Sequence, residues 1–283
     1  MLLSSKNQSL EIDLTKGAAI SHLTLSKNGK RKVLISPKAG YHYESSLLFP
    51  FPNRLAQGKF IFEGTTYKFP LNDFGRPNAL HGFISDKPFQ ILSQENQALI
   101  LQYEYDGGRS YYPFPFRLII KYKLEVSELI IEATIENTGI SSMPCGFGWH
   151  PYFNMLEGAD QAILQLKDVS RIVVDKNLLP TGKSTPYKTL DNGCIVDLLS
   201  LDTCFEYNTE RKNATNLRFQ DGMTLKVWQD SELPFVQIYT AADDKTIAIE
   251  PMTCSIDALN TGAGLKVLES SEHWSFQFGV KLH

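Results

Sequence analysis

The sequence predicts an all-β protein, a large antiparallel β-sandwich with very little helix, on three observations. Apolar residues recur at every second position through most of the chain. Turn signals separate these alternating runs, and almost no segment carries a 3.6-residue period. Alternation of this kind marks strands that bury one face in a core and leave the other toward solvent.

The elements follow in order. Leu10, Ile12 and Leu14 alternate with polar residues near the N-terminus. Phe60 and Phe62, then Tyr67 and Phe69, flank Glu63-Gly64-Thr65, a hairpin pattern. Leu99, Leu101, Tyr103 and Tyr105 alternate again. Phe116, Leu118, Ile120, Tyr122 and Leu124 form one arm of a long hairpin, Ser127-Glu128 its turn, and Leu129, Ile131, Ala133 and Ile135 the other arm. Leu190 to Leu201 holds at most a turn or two of helix. Leu217 and Phe219 face Leu225 and Val227 across Asp221-Gly222, a further hairpin signal. Val236 and Ile238, Ile247 and Ile249, and finally Trp274, Phe276, Phe278 and Val280 complete the series.

The composition, 42% hydrophobic and 21% charged over 283 residues, supplies a sizeable core. No linker, low-complexity tract or repeat divides the chain, so one domain over residues 1–283 is expected. A formal net charge of -3 with both signs mixed argues against a nucleic-acid surface. No stretch has the apolar length of a membrane span, and the N-terminus lacks the pattern of a secretory signal. Cys145, Cys194, Cys204 and Cys254 are far apart and unpaired in pattern, so free thiols in the cytoplasm are expected.

Five positions stand out as carriers of chemistry. His150 sits in Gly146-Phe147-Gly148-Trp149-His150-Pro151-Tyr152-Phe153, among aromatics that could wall a pocket. Proline after it biases it toward an extended backbone, and its pKa is easily moved across neutrality. Arg54 follows a proline-rich approach, Phe49-Pro50-Phe51-Pro52-Asn53, and offers a rigid fork of donors to hydroxyl or carboxylate oxygens. His81 precedes Gly82, which permits close approach of a ligand. Asp202 is a lone carboxylate among apolar positions. Glu250 ends the alternating run Ile247-Ala248-Ile249 before Pro251, where desolvation would raise its pKa and make it a better base. Each also has a structural reading: His150 as a core histidine, His81 as a turn cap, Arg54 as an ion-pair partner, Asp202 as a turn residue, and Glu250 as the partner of an arginine.

As an ordered set the motifs carry more. Asn53-Arg54, Leu80-His81-Gly82, Trp149-His150-Pro151-Tyr152-Phe153, Leu201-Asp202, and Glu250 followed by Asp257-Ala258-Leu259-Asn260 resemble the aldose 1-epimerase (mutarotase) family in the same order. The resemblance runs from about residue 50 to 262. It implies a sandwich of the galactose mutarotase type and a cleft that interconverts the α and β anomers of a free sugar. By position, His150 matches the family's general acid, Glu250 its general base and His81 its second histidine. Arg54 and Asp202 match residues that bind sugar hydroxyls. Trp149 and Phe147 are wall candidates from their place beside His150. The chain departs from galactose-type members at Phe83, where a second glycine is common, and at Pro251-Met252, where Thr-Gln is common. Those departures bear on which sugar is bound.

The implied partner is a small-molecule sugar, with no nucleic acid or membrane, and the chain is expected to be a monomer or a homodimer. No Walker loop, GxGxxG turn or zinc spacing occurs, and ring opening needs no cofactor and no metal. Three alternatives stay open. An anionic sugar, such as a hexose phosphate or a sulfonated sugar, would call on Arg76 or a lysine. A non-catalytic sugar-binding protein on the same scaffold would lack the acid or the base. A metal site from His81, His150 and Glu250 is disfavoured, since no two of them lie at the close spacing common in such sites.

Overall fold

A computed structural model of the protein describes residues 1–5, 7–37, 43–155, 159–209, 212–240 and 245–283. Two large antiparallel sheets dominate it. One is nine-stranded. Its centre runs through Ala98–Tyr105, Phe116–Glu125, Glu128–Asn137, His273–Leu282 and Thr224–Gln229. The other is eight-stranded, with Asp202–Tyr207, Phe235–Thr240, Thr246–Met252, Gly148–His150 and Ser46–Leu48 side by side, and Tyr152–Asn154 also paired to Thr246–Met252. A four-stranded sheet forms from the N-terminal strands.

The alternation read from the sequence is the alternation of burial. Every second residue from Leu129 to Ile135 is fully buried, and so are Leu118, Ile120, Tyr122 and Leu124. The predicted long hairpin forms, with Glu125 opposite Glu128, so its turn is Val126-Ser127 and Glu128 already belongs to the strand. Ser127 carries the positive φ of 59° that closes such a short connection. The hairpin at 59–68 also forms. In the hairpin across Asp221-Gly222, Leu217 meets Leu225 as expected, but Val227 faces Thr215, and Phe219 lies in the connecting loop. Leu190 to Leu201 supplies a single 3₁₀ turn, Val196–Leu198. Among the described residues the α-helix that forms is the short Ala258–Thr261.

The inner faces of the large sheets meet in one apolar core. Phe147 and Trp149 come from one side, Phe276 and Phe278 from the other, with the Trp149 and Phe278 ring centroids 5.7 Å apart. The opposite face of the eight-stranded sheet carries a smaller apolar cluster of Cys204, Phe235, Met252 and Ile256 beside the polar residues His150, Glu250 and Gln237. Among the described residues no helix is long and apolar enough to cross a membrane.

Candidate functional site

Strand register assembles the centre of the site. Gly148 faces Met252 and Tyr152 faces Ala248, so position 150 comes opposite position 250. Pro151 interrupts the pairing between them, since it has no N–H to give the ladder. On the far side, Glu250 faces Gln237, and Gln237 faces Cys204. His150 in turn faces Ser46. Residues directly opposite share a face. Ser46, His150, Glu250 and Gln237 therefore form one transverse row on the face away from the core.

His150 Nε2 and Glu250 Oε1 stand 3.4 Å apart, both side chains nearly inaccessible. The other polar atoms of this pair, His150 Nδ1 and Glu250 Oε2, have no hydrogen-bond partner in another residue. Burial acts on the two in opposite directions. It raises the Glu250 carboxyl well above the usual range, with the Asp202 charge adding to the effect and Arg54 opposing it. It lowers the His150 imidazole to about 4. Both groups are thus pushed toward their neutral forms, the carboxylic acid and the uncharged ring. Unsatisfied polar atoms in a buried pair are costly unless something else meets them.

The remaining groups arrive on a small ribbon in which Arg54 pairs with Leu80 across Arg54–Ala56 and Asn78–Leu80. Asp257 anchors it: its amide donates to the Arg54 carbonyl, and its Oδ1 accepts the Ala56 amide at 2.9 Å. His81 and Gly82 leave the ribbon with φ of 63° and 66°. A Cβ on Gly82 would stand 2.0 Å from the Phe49 carbonyl oxygen, so only glycine lets the chain pass there. This turn presents the His81 ring 5.3 Å from that of His150.

Asn53 holds the ribbon to the row. Its backbone amide donates to His81 Nδ1 at 3.0 Å, and its carbonyl accepts the His81 amide at 2.9 Å. Its side-chain oxygen accepts from the Arg54 amide and from Nη1, while Nδ2 donates to Gln237 Oε1 at 3.1 Å. Because Nδ1 accepts a hydrogen bond, neutral His81 carries its proton on Nε2. Burial, with the charges of His150 and Arg54, lowers its pKa well below the ordinary value. His81 is therefore a fixed neutral donor.

A charged rim completes the site. Arg54 Nε bonds Asp73 Oδ2 at 3.0 Å, and Nη2 lies 3.7 Å from Asp202 Oδ2. Gln237 Nε2 donates to Asp202 Oδ1 at 2.6 Å. Arg76 reaches Asp73 at 3.7 Å. Tyr43 leans over the histidines, its ring 4.7 Å from His81 and 6.5 Å from His150.

Of the residues singled out from the sequence, Glu250, His150, His81, Arg54 and Asp202 are brought together. Trp149 and Phe147 are not. Both are completely buried, and both pack into the core against Phe278. The reason is the strand period itself: if His150 faces the cleft, residues 149 and 147 face away from it. Trp149 spends its indole N–H on the Ser45 carbonyl at 3.2 Å. Gln237, Asp73 and Tyr43 escaped the sequence reading. Gln237 alone left a trace, a polar residue between the core positions Val236 and Ile238. Among the described residues no three histidine, cysteine or acidic side chains are arranged to hold a metal ion.

Comparison with known proteins agrees with this architecture. The model of the family described as aldose 1-epimerase matches residues 2–281. YihR of Escherichia coli (strain K12), an uncharacterized protein, is 26% identical over 248 residues, which are 83% of this chain and 77% of that one. A maltose epimerase of Levilactobacillus brevis is 26% identical over 61% of this chain and 55% of its own, so the present chain spans little more than half of that relative. A galactose mutarotase-like protein from Clostridium acetobutylicum superimposes with a TM-score of 0.87 at 22% identity, covering 100% of this chain and 94% of the other. That likeness establishes the galactose mutarotase type of fold.

Proposed function

The chain belongs to the aldose 1-epimerase family, and from that premise we propose that it interconverts the α and β anomers of a neutral hexose by acid–base ring opening and closure. The observation that carries the reading is the opposed, buried His150–Glu250 pair, 3.4 Å apart, with one unpartnered polar atom on each side chain.

The proton count fits the reaction. Glu250, as carboxylate, takes the proton of the anomeric hydroxyl while C1=O forms. The electron pair of the breaking C1–O5 bond goes to O5, which takes a proton from the His150 imidazolium. After rotation about C1–C2, closure on the other carbonyl face returns both protons. The pair holds one proton throughout: on His150 beside the cyclic sugar, on Glu250 beside the open one. Burial favours the second, neutral arrangement, the one that accompanies the open chain. Both groups need only reach about 3 Å from their oxygens. Neutral His81 donates toward the ring without competing for the transferred proton, while Arg54 and Asp202 take sugar hydroxyls.

Charge favours a neutral sugar over a phosphorylated or sulfonated one. Among the described residues the two guanidinium groups of the rim, Arg54 and Arg76, already face the carboxylates of Asp73 and Asp202. Arg76 is spent on Asp73 rather than offered to an anion. Relatives named for galactose and for maltose, both neutral sugars, point the same way.

The test is anomer exchange, followed by polarimetry and by NMR exchange spectroscopy over a panel of hexoses. The wild-type protein is expected to accelerate it, and Glu250→Gln to lose at least about 10²-fold in kcat, the lower end of what a positioned base contributes. No acceleration by the wild type, or near-normal turnover by the variant, would overturn the assignment.

A further inference from the structure

The transverse row that carries the acid–base pair runs Gln237, Glu250, His150, Ser46. At its Ser46 end lies a cavity of about 590 Å³. Three residues of its lining, Tyr43, Ser46 and Tyr152, adjoin the His150 side chain. Ser46 is the strand partner of His150, the Tyr152 ring lies 5.0 Å from the imidazole, and the Tyr43 ring lies 6.5 Å from it.

Backbone hydrogen bonds fix this wall to the acid. The Ser45 amide donates to the His150 carbonyl at 2.9 Å, and the Ser46 amide donates to the Tyr43 carbonyl at 3.1 Å. Ser46 is only 5% exposed and lines the cavity. Ser45, in the same wall, has a buried hydroxyl with no hydrogen-bond partner in another residue. Groups held in place before binding lose little freedom when a ligand arrives.

Stereochemistry says which part of the sugar meets this wall. In the ring opening proposed above, Glu250 serves the hydroxyl on C1 and His150 serves O5. The direction from C1 to O5 therefore runs from Glu250 toward His150. In a pyranose chair the equatorial C5–C6 bond is parallel to the C1–O5 bond and points the same way. The exocyclic carbon is thus aimed past His150, at Ser46 and the cavity.

The lining suits a neutral, hydroxylated group. Ser21, Ser36 and Ser85 line it further along. Among the described lining residues Lys16 is the one ammonium, set against the carboxyl groups of Asp13 and Glu44. A phosphate or sulfonate would meet an excess of negative charge, whereas a hydroxymethyl group can both give and accept a hydrogen bond. Deepening the acid–base reading above, on which this inference rests, we propose that Ser46 determines specificity at the hydroxymethyl end of the sugar. Its hydroxyl bonds O6, and the cavity beside it leaves room for a neutral substituent on that oxygen.

Anomer exchange is measured by NMR for two matched series that differ only in the group on C5: D-glucose, 6-deoxy-D-glucose and D-xylose, then D-galactose, D-fucose and L-arabinose. In at least one series the wild type is expected to show a kcat/KM about 3- to 10-fold higher for the hexose than for the other two, one hydrogen bond's worth. Ser46→Ala should bring the hexose down to its 6-deoxy counterpart, so that their ratio falls to about one. Exchange of the 6-deoxy sugar shows that the variant folds. If Ser46→Ala does not fold, Ser46→Cys, close in size and a weaker donor, is read in the same way. The wild type should exchange 6-O-methyl-D-glucose within a few-fold of D-glucose, since its ether oxygen still accepts from Ser46.

Equal kcat/KM throughout both series, or a hexose advantage that survives in the variant, overturns the assignment of Ser46 and leaves the acid–base centre standing. Loss of 6-O-methylglucose exchange, or glucose 6-phosphate exchanged faster than glucose, overturns the neutral cavity. Exchange of no sugar by the wild type overturns the acid–base reading instead. The contact is then judged on the Glu250→Gln protein by ligand-observed NMR, where a hexose bound no better than its 6-deoxy counterpart refutes it.

Discussion

The inner corner of the cleft and its rim are built on opposite electrostatic principles. At the rim, Arg54, Asp73, Arg76 and Asp202 are paired with one another, and Arg76 and Asp202 open to solvent, with the Asp202 side chain 36% exposed. In the corner, His150, Glu250 and His81 are buried and driven toward neutrality, and among the described residues no full countercharge compensates them. Paired charges hold a fixed shape and recognise hydroxyl groups, but they are poor proton carriers because both partners prefer to stay ionised. Desolvated groups with displaced pKa values exchange protons readily. The difference teaches that, on the proposed reading, one cleft divides recognition from chemistry by burial, and that each half should fail in its own way when altered.

The largest effects belong in the corner. His150→Asn is expected to lower kcat by about 10²–10⁴-fold with KM changed only a few-fold, since a transferring group acts in the transition state. His81→Asn should lose less, on the order of tenfold, because asparagine tolerates the left-handed backbone there and still donates a hydrogen bond. At the rim, Asp202→Ala should mainly raise KM, by roughly 5- to 150-fold, the equivalent of about 1–3 kcal/mol for a lost charged hydrogen-bonding group. Steady-state kinetics on one saturating sugar check all three. If Asp202→Ala instead cut kcat as deeply as His150→Asn with KM unmoved, the division between rim and corner would be gone.

A smaller effect lies in the connection between the halves. Asn53 joins His81, Arg54 and Gln237, and through Gln237 it reaches Asp202. Asn53→Ala keeps the backbone hydrogen bonds to His81 but frees Gln237 and Arg54, so a rise in KM of about 3- to 10-fold is expected, one hydrogen bond's worth. Asn53→Asp, which keeps the acceptor for Arg54 and loses the donor for Gln237, separates the two contributions in the same assay.

How much of this was open to reading from residues alone differs between fold and site. Alternation is local, so Leu129 to Ile135 and its partner strand announced themselves, and even the hairpin turn was displaced by only one residue. The same rule, applied to Phe147-Gly148-Trp149-His150, separates the tryptophan from the histidine, because neighbours on a strand cannot share a face. Proximity in sequence had made Trp149 look like a cleft wall. The opposition of His150 and Glu250 is another matter. It depends on which strand pairs with which, and in what register, between segments far apart in the chain. Only the resemblance to a known order of motifs tied them together beforehand. Gln237 and Asp73 are ordinary residues that only their contacts with Asp202 and Arg54 bring to the cleft.

The finest test of the contrast is thermodynamic, because corner groups should cost stability where rim groups do not. The unfolded chain titrates Glu250 near 4.5 and the histidines near 6.5. In the fold, Glu250 is raised, so above pH 4.5 the native state keeps a proton that the unfolded state has lost. Stability therefore falls as pH rises through that window. His150 and His81 are lowered, so below pH 6.5 the unfolded state holds protons the native state lacks, and their contribution is lost as pH falls. Glu250 thus opposes both histidines between pH 4.5 and 6.5 and acts alone among the three above pH 6.5. Glu250→Gln removes its part only. The difference in unfolding free energy between variant and wild type, from urea titrations at a series of pH values, should grow with pH above 4.5. Its slope cannot exceed about 1.4 kcal/mol per pH unit, the limit for one proton. The inactive variant is then the more stable protein at neutral pH. A difference that stays flat, or that shrinks as pH rises, would mean that Glu250 is ionised and compensated in the fold, and the corner would be electrostatically no different from the rim.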